Sequence, residues 1–80
     1  MIDPTTQLNL FLEGVRLLGG HRGAAAILAI DERTMRRICA GQIPLHAGFF
    51  RDMATALLDR ANHCRELERE IAPLCAAPDL

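Results

Sequence analysis

The fold is decided in the first half of the chain by the stretch HRGAAAILAIDERTMRRICAG, residues 21–41. Its first part is rich in Ala, Ile and Leu, and its second part begins after Asp31, a residue type that favours helix N-termini. Gly41 is a natural helix stop. We therefore predict two short helices, at about residues 22–28 and 32–40, joined by a tight turn.

The apolar positions of this stretch fit two helices that cross at a steep angle. Ala25 is small enough for a close crossing, and Leu28 and Ile30 lie on either side of the turn. Met35 and Ile38, three residues apart, share the inner face of the second helix. This spacing is typical of a helix-turn-helix.

A third helix is predicted before this stretch, at about residues 5–18. Asp3 or Thr5 can cap it, and it ends at Gly19. Gly14 lies inside it and costs up to about 1 kcal/mol relative to alanine. Close packing of a neighbouring helix at that position would account for the glycine.

The last predicted helix is long and covers about residues 46–72. A turn containing Pro44 precedes it, and Pro73 marks its end because proline has no amide hydrogen to donate. We expect residues 75–80 to form a frayed tail. The chain is therefore predicted to be all-α, a single four-helix domain over residues 1–80.

Composition limits the core of this domain. Half of the 80 residues are apolar, but there is no Trp or Tyr and there are only three Phe. We expect an aliphatic core of Leu, Ile, Ala and Met. A domain of this size buries only about 60–65% of the surface of its unfolded chain, so dimerisation would add useful burial.

The charged residues are unevenly distributed along the chain. Residues 16–51 contain six arginines and two acidic residues, a net charge of +4, whereas residues 52–80 carry a net charge of −3. A basic middle and an acidic end suit a nucleic-acid-reading segment followed by an assembly segment.

The outer face of the second short helix carries the strongest functional signal. Arg33, Arg36 and Arg37 are three or four residues apart and share that face. Arginine can bind guanine in a bidentate manner or hold a phosphate. A solvated charged face is the alternative interpretation, and the apolar spacing before the arginines favours a DNA-reading helix.

Residues 24–44, AAAILAIDERTMRRICAGQIP, resemble the Cro and lambda-repressor type of helix-turn-helix found in bacterial and phage regulators. The resemblance covers about residues 8–60, and small regulators associated with anti-CRISPR genes are a weaker match. It implies a transcriptional regulator whose DNA-contacting side chains would be those of Arg33, Thr34, Arg36 and Arg37.

The sequence departs from this family at the turn. Ala29 occupies the position where the family usually has glycine. If the backbone there is left-handed, alanine costs on the order of 1 kcal/mol.

Several other polar residues have two possible roles. Arg22 and Arg51, near helix N-termini, and Gln42, after the arginine-bearing helix, could contact phosphates or could be ordinary surface residues. Glu32, beside the capping Asp31, either stabilises the helix N-terminus through its interaction with the helix dipole or accepts a hydrogen bond from a cytosine amino group. The first role is favoured for Glu32.

The last helix carries an apolar stripe, and we expect the other helices to be too short to cover it beyond Ala61. An uncovered stripe implies a partner, and we expect residues 61–74 to form a homodimer segment. The stripe folding back onto its own domain is the alternative. The residues predicted to form the dimer contact are Leu57, Ala61, Cys64, Leu67 and Ile71.

Other classes of function have little support in the sequence. No catalytic set, metal-ligand spacing or cofactor motif is present, so we expect neither an enzyme nor a metal site, cofactor or small-molecule ligand. No membrane segment or signal peptide is recognisable, which predicts a cytoplasmic protein. The three cysteines, Cys39, Cys64 and Cys75, are expected to be reduced and buried.

The sequence thus predicts a sequence-specific regulator of transcription that binds double-stranded DNA. We expect a dimeric repressor that reads an inverted repeat through a helix-turn-helix at residues 21–40. The alternative is a protein-interaction module, such as an antitoxin or an adaptor, that uses the apolar stripe of the last helix.

Overall fold

The computed structural model describes residues 2–75, which form four α-helices and no strand. The helices are α1 (Pro4–Leu17), α2 (Gly20–Leu28), α3 (Glu32–Cys39) and α4 (Ala47–Cys75). α2 packs against the other three helices, and α1 also contacts α3 and α4. The all-α, four-helix prediction is confirmed, and the arrangement of α2 and α3 is compatible with a helix-turn-helix.

The start of α1 is defined by a side-chain cap. The amide of Thr6 donates to Asp3 Oδ1 over 2.7 Å, and Pro4, at the first helical position, has no amide that would need a partner. The backbone N–H of Thr6, followed by its hydroxyl, lowers the pKa of Asp3. The helix begins one residue before the predicted start, and α2 begins two residues before, at Gly20.

Gly14 is the point of closest approach between α1 and α4. A Cβ atom at this position would lie 2.5 Å from the sulfur of Met53, so alanine does not fit without displacing that side chain. Both residues are buried. The helix propensity lost at Gly14 is therefore offset by the packing of Met53.

The turn between α2 and α3 has a left-handed backbone at Ala29, the position where the sequence left this conformation open. Ala29 has φ 58° and ψ 41°, and no other non-glycine residue among residues 2–75 has a positive φ. The amide of Ile30 donates to the carbonyl of Ala25 over 2.9 Å, which closes the end of α2. The conformation is kept despite the cost of a Cβ in this region.

The core lies where α1, α2 and α3 meet the first half of α4. Phe11 is 1% exposed. The rings of Phe49 and Phe50 pack against its ring in T-shaped geometry, at centroid distances of 6.3 and 6.0 Å. The expectation of a purely aliphatic core is therefore wrong at its centre, because all three phenylalanines converge there. The buried apolar residues are Phe11, Val15, Leu18, Ala24, Ala25, Met35, Ile38 and Met53.

α4 divides into a packed part and a projecting part. Its first half, from Phe49 to Leu57, packs against the core, whereas every residue from Leu58 to Cys75 is exposed. The Cα radius of gyration is 16.4 Å, compared with ~12 Å for a compact domain of this length. We call residues 61–75 the overhang and residues 3–60 the body.

The predicted end of α4 at Pro73 is wrong, because the helix continues through Pro73 to Cys75. Proline removes one hydrogen bond, to the carbonyl of Arg69, and in an exposed last turn water can satisfy that carbonyl. Cys75 thus belongs to the helix, and the rest of the predicted frayed tail, residues 76–80, lies outside the described residues. None of the described helices is both long and apolar enough to cross a membrane.

The cysteines are less buried than predicted. Cys39 is half-buried, and burial raises the pKa of its thiol. Cys64 and Cys75 are exposed, because both lie on the overhang. The prediction of buried thiols is therefore wrong for these two.

Candidate nucleic-acid interface

α3 is held in place by its inner face and by its cap. Met35 and Ile38, on its inner face, are fully buried in the core of the body. At the start of the helix, Asp31 accepts from the amide of Thr34 over 2.8 Å and from its hydroxyl over 2.6 Å. These bonds, the hydroxyl first, lower the pKa of Asp31. The orientation of α3 is thus set mainly by its buried face and its cap, which leaves the arginines of its outer face exposed.

The outer face of α3 brings the three predicted arginines together. Arg33, Arg36 and Arg37 are all exposed, on the side opposite the buried Met35 and Ile38. Within residues 2–75, neither Arg33 nor Arg37 forms an ion pair. Their guanidinium donors are therefore available to an external ligand.

Arg36 differs from these two arginines because Glu32 already binds it. Its Nη2 atom lies 2.6 Å from Glu32 Oε2, in an (i, i+4) pair along the helix. The second carboxylate oxygen of Glu32 lies 3.8 Å from Nε of Arg22, on α2. Glu32 thus connects two of the predicted DNA-contacting arginines across the turn.

This bridging position of Glu32 was missed at the level of sequence. The (i, i+4) spacing of Glu32 and Arg36 is a recognisable signal for a helical ion pair. The contact with Arg22 has no such sequence signal, because it depends on the path of the chain through the turn between Ala29 and Asp31.

Thr34 occupies a position different from that of the arginines. It is half-buried, and its hydroxyl donates to Asp31 in the cap. An oxygen lone pair remains free to accept, but the hydroxyl proton is already committed. In the free protein Thr34 therefore stabilises the start of α3.

The three residues predicted to contact phosphates, Arg22, Gln42 and Arg51, are all exposed but differ in how they are connected to α3. Arg22, with 91% of its side chain exposed, is joined to α3 through Glu32. Gln42 lies three residues after the end of α3, and its backbone N–H donates to the carbonyl of Arg37 over 2.9 Å. Arg51 lies in α4, and no hydrogen bond or ion pair among the described residues links its side chain to α3.

The electrostatics of this face are dominated by arginine. Four arginines lie in α2 and α3, and the only acidic residues between residues 20 and 39 are Asp31, which is engaged in capping, and Glu32, which is paired. Among residues 2–75 there is no cluster of His, Cys, Asp or Glu that could hold a metal ion. The positive charge of this face is suited to binding a polyanion.

Comparisons with protein families, with curated proteins and with solved structures found no match for this chain.

Proposed function

We propose that the protein is a sequence-specific regulator of transcription that binds double-stranded DNA, acting in the cytoplasm as a dimeric repressor. The observation that carries this proposal is the exposed face of α3, where Arg33, Arg36 and Arg37 lie opposite the buried Met35 and Ile38. A helix anchored on one side and basic on the other is what entry into a major groove requires. The resemblance of residues 24–44 to the Cro and lambda-repressor type supports the same function.

The arginines divide into two kinds, which suggests two roles on DNA. Arg33 and Arg37 have free guanidinium groups and are suited to read base edges, where a bidentate contact with guanine discriminates by roughly 1–3 kcal/mol. Arg36 and Arg22 are held by Glu32 and are suited to contact phosphates, which fixes the register of the helix on DNA.

The position of positive charge supports a polyanionic partner. The net charge of +4 over residues 16–51 coincides with the helices that present the arginine face, and the acidic residues are concentrated in α4. Binding through this face is expected to weaken with salt, because each phosphate contact releases counterions.

The test is selection of bound duplexes from a random DNA pool, carried out at two salt concentrations. We expect an inverted repeat to be enriched at both, with a half-site spacing set by the twofold symmetry of the dimer. The Arg33→Ala variant is expected to lose enrichment at one position of each half-site. Arg69→Ala, which removes the same charge from the exposed overhang, is the matched control and is expected to enrich the wild-type sequence.

A pool in which no sequence is enriched, combined with binding that disappears steeply as salt rises, would contradict sequence-specific reading. That result would leave only nonspecific attraction to the phosphate backbone.

A second candidate function is a protein-interaction module, such as an antitoxin or an adaptor. The observation that favours it is the exposed apolar face of α4, on which Leu67 and Leu74 are 51% and 73% exposed. A chain without DNA affinity that forms a stoichiometric complex with a different protein would fit this candidate and not the first.

A further inference from the structure

The overhang carries an apolar face that continues the packed face of α4. Met53 and Leu57 contact the core, and one heptad beyond Leu57 the stripe continues from Cys64 at steps of three, four and three residues. This is the repeat of a helix that packs along another helix. The exposed members of the stripe are Cys64, Leu67, Ile71 and Leu74.

An apolar groove lies where the overhang leaves the body. It has a volume of about 510 Å³, and its apolar lining consists of Leu18 and Ile27 together with Ala56, Cys64 and Leu67 of α4. Its polar lining consists of Asp59, Arg60 and His63, also of α4. Ile27 stands at its edge and is 47% exposed. The groove thus joins the stripe to exposed apolar surface of α2.

Arg60, at the base of the overhang, is hydrogen-bonded to the end of α1. Its Nη1 atom donates to the carbonyl of Leu17, at the end of α1, over 2.8 Å. A cation at a helix C-terminus is favourable, and the bond holds Arg60 against its own body. The stripe and the body therefore lie on the same side of α4.

We propose that the overhang and the groove bind a second copy of this chain, with the two α4 helices antiparallel. In a parallel pair the two bodies, both on the stripe side of α4, would meet each other, and Arg60 would face Arg60 of the partner subunit. In the antiparallel pair the bodies lie at opposite ends. The tip of each overhang then reaches the groove of the other copy.

The charges beside the stripe select one register for this pair. When Cys64 lies opposite Leu67 of the partner subunit, His63 lies near the partner's Glu70, and Arg65 lies near the partner's Glu68. A shift of one heptad toward the tips would instead bring Glu70 close to the partner's Glu70, which is repulsive. The favoured register also sets Ile71 beside the partner's Arg60, at the groove.

This inference deepens the proposed function, since it names the partner and the surface that would give the regulator its twofold symmetry, but it is testable without DNA. The first measurement is the molar mass by light scattering during gel filtration. We expect a dimer for the wild type and a monomer for Leu67→Glu. Leu10→Glu, which alters a similarly exposed leucine on α1, is the matched control and is expected to remain a dimer.

The second measurement uses the native cysteines as distance reporters. Spin labels are placed on Cys75 alone or on Cys64 alone, with the other two cysteines replaced by alanine. In the proposed register the Cys75 positions are offset by 19 residues, so their separation is about 30 Å, whereas the Cys64 positions are about 10 Å apart. A parallel pair would bring both label pairs to about 10 Å.

A wild-type monomer at 100 μM (on the order of the concentrations used for spin-label work), short distances for both labels, or an unchanged dimer in Leu67→Glu would each overturn the proposal. Failure of the assembly and failure of DNA reading are distinguishable. Arg37→Ala is expected to remain dimeric while losing specific DNA binding, and Leu67→Glu is expected to keep weak half-site binding while losing affinity for the full repeat.

Discussion

The body and the overhang use apolar and charged residues in opposite ways. In the body, apolar side chains such as Met35 and Ile38 are fully buried, and the arginines of α3 remain at the surface. In the overhang, Leu67, Ile71 and Leu74 are exposed, and acidic residues surround them. The body buries its apolar side chains and exposes its arginines, whereas the described residues leave the apolar side chains of the overhang uncovered.

The largest expected effect is the difference in the free energy of unfolding lost when a similar side chain is truncated in the body and in the overhang. Ile38→Ala removes a fully buried side chain, and we expect it to lower the free energy of unfolding by about 2–5 kcal/mol. Ile71→Ala, in the overhang, is expected to change it by less than about 0.5 kcal/mol in dilute protein. Urea denaturation monitored by circular dichroism measures both values.

The same pair of variants sharpens the comparison when protein concentration is raised. Dimerisation stabilises the folded state by mass action, so Ile71→Ala is expected to become more destabilising at high concentration, while the effect of Ile38→Ala persists at all concentrations. An effect of Ile71→Ala that is large and independent of concentration would contradict the division into body and overhang.

A smaller effect is expected at the turn between α2 and α3. Ala29→Gly relieves a left-handed alanine, and we expect it to raise the free energy of unfolding by about 1 kcal/mol. Ala26→Gly, in the exposed interior of α2, is the matched control and is expected to lower it by roughly 0.5–1 kcal/mol. Thermal unfolding followed by circular dichroism distinguishes the two signs.

The smallest expected effect is a dependence on pH at the cap of α3. Because folding lowers the pKa of Asp31, its contribution to stability is complete above the unfolded pKa of about 3.9 and is lost as the pH falls through the folded value. Asp31→Asn keeps a capping oxygen but does not titrate. We expect this variant to lose part of the acid sensitivity measured by urea denaturation between pH 5 and about pH 2, and unchanged sensitivity would contradict the role assigned to Asp31.

The parts of the fold that depend on local signals were predictable from the sequence. α3 starts where Asp31 indicates and ends within one residue of the predicted position, because a cap and a following glycine act on neighbouring residues. The sequence marked Ala29 as the position where a left-handed backbone would be costly, but it left open whether the turn keeps that conformation, and the structure keeps it. Fold class, helix order and the exposure of the α3 arginines follow from the same kind of signal.

The features that sequence reasoning missed depend on contacts between distant segments. The pairing of Glu32 with Arg22 depends on the path of the turn, and the contacts of Phe49 and Phe50 with Phe11 depend on the packing of α1 against α4. Pro73 was interpreted as a helix end because proline in the interior of a helix removes a backbone hydrogen bond and breaks or kinks the helix. That effect is weaker in an exposed last turn, where water can replace one lost hydrogen bond.

The most direct test of the central claim measures binding of Arg37→Ala to the selected duplex and to an unrelated duplex, beside the wild type and Arg69→Ala. We expect Arg37→Ala to weaken binding to the selected duplex by roughly 5- to 150-fold, corresponding to the loss of one bidentate base contact. Binding to the unrelated duplex and the thermal unfolding midpoint are expected to change little. Equal losses on both duplexes, or no loss relative to Arg69→Ala, would contradict sequence reading by α3.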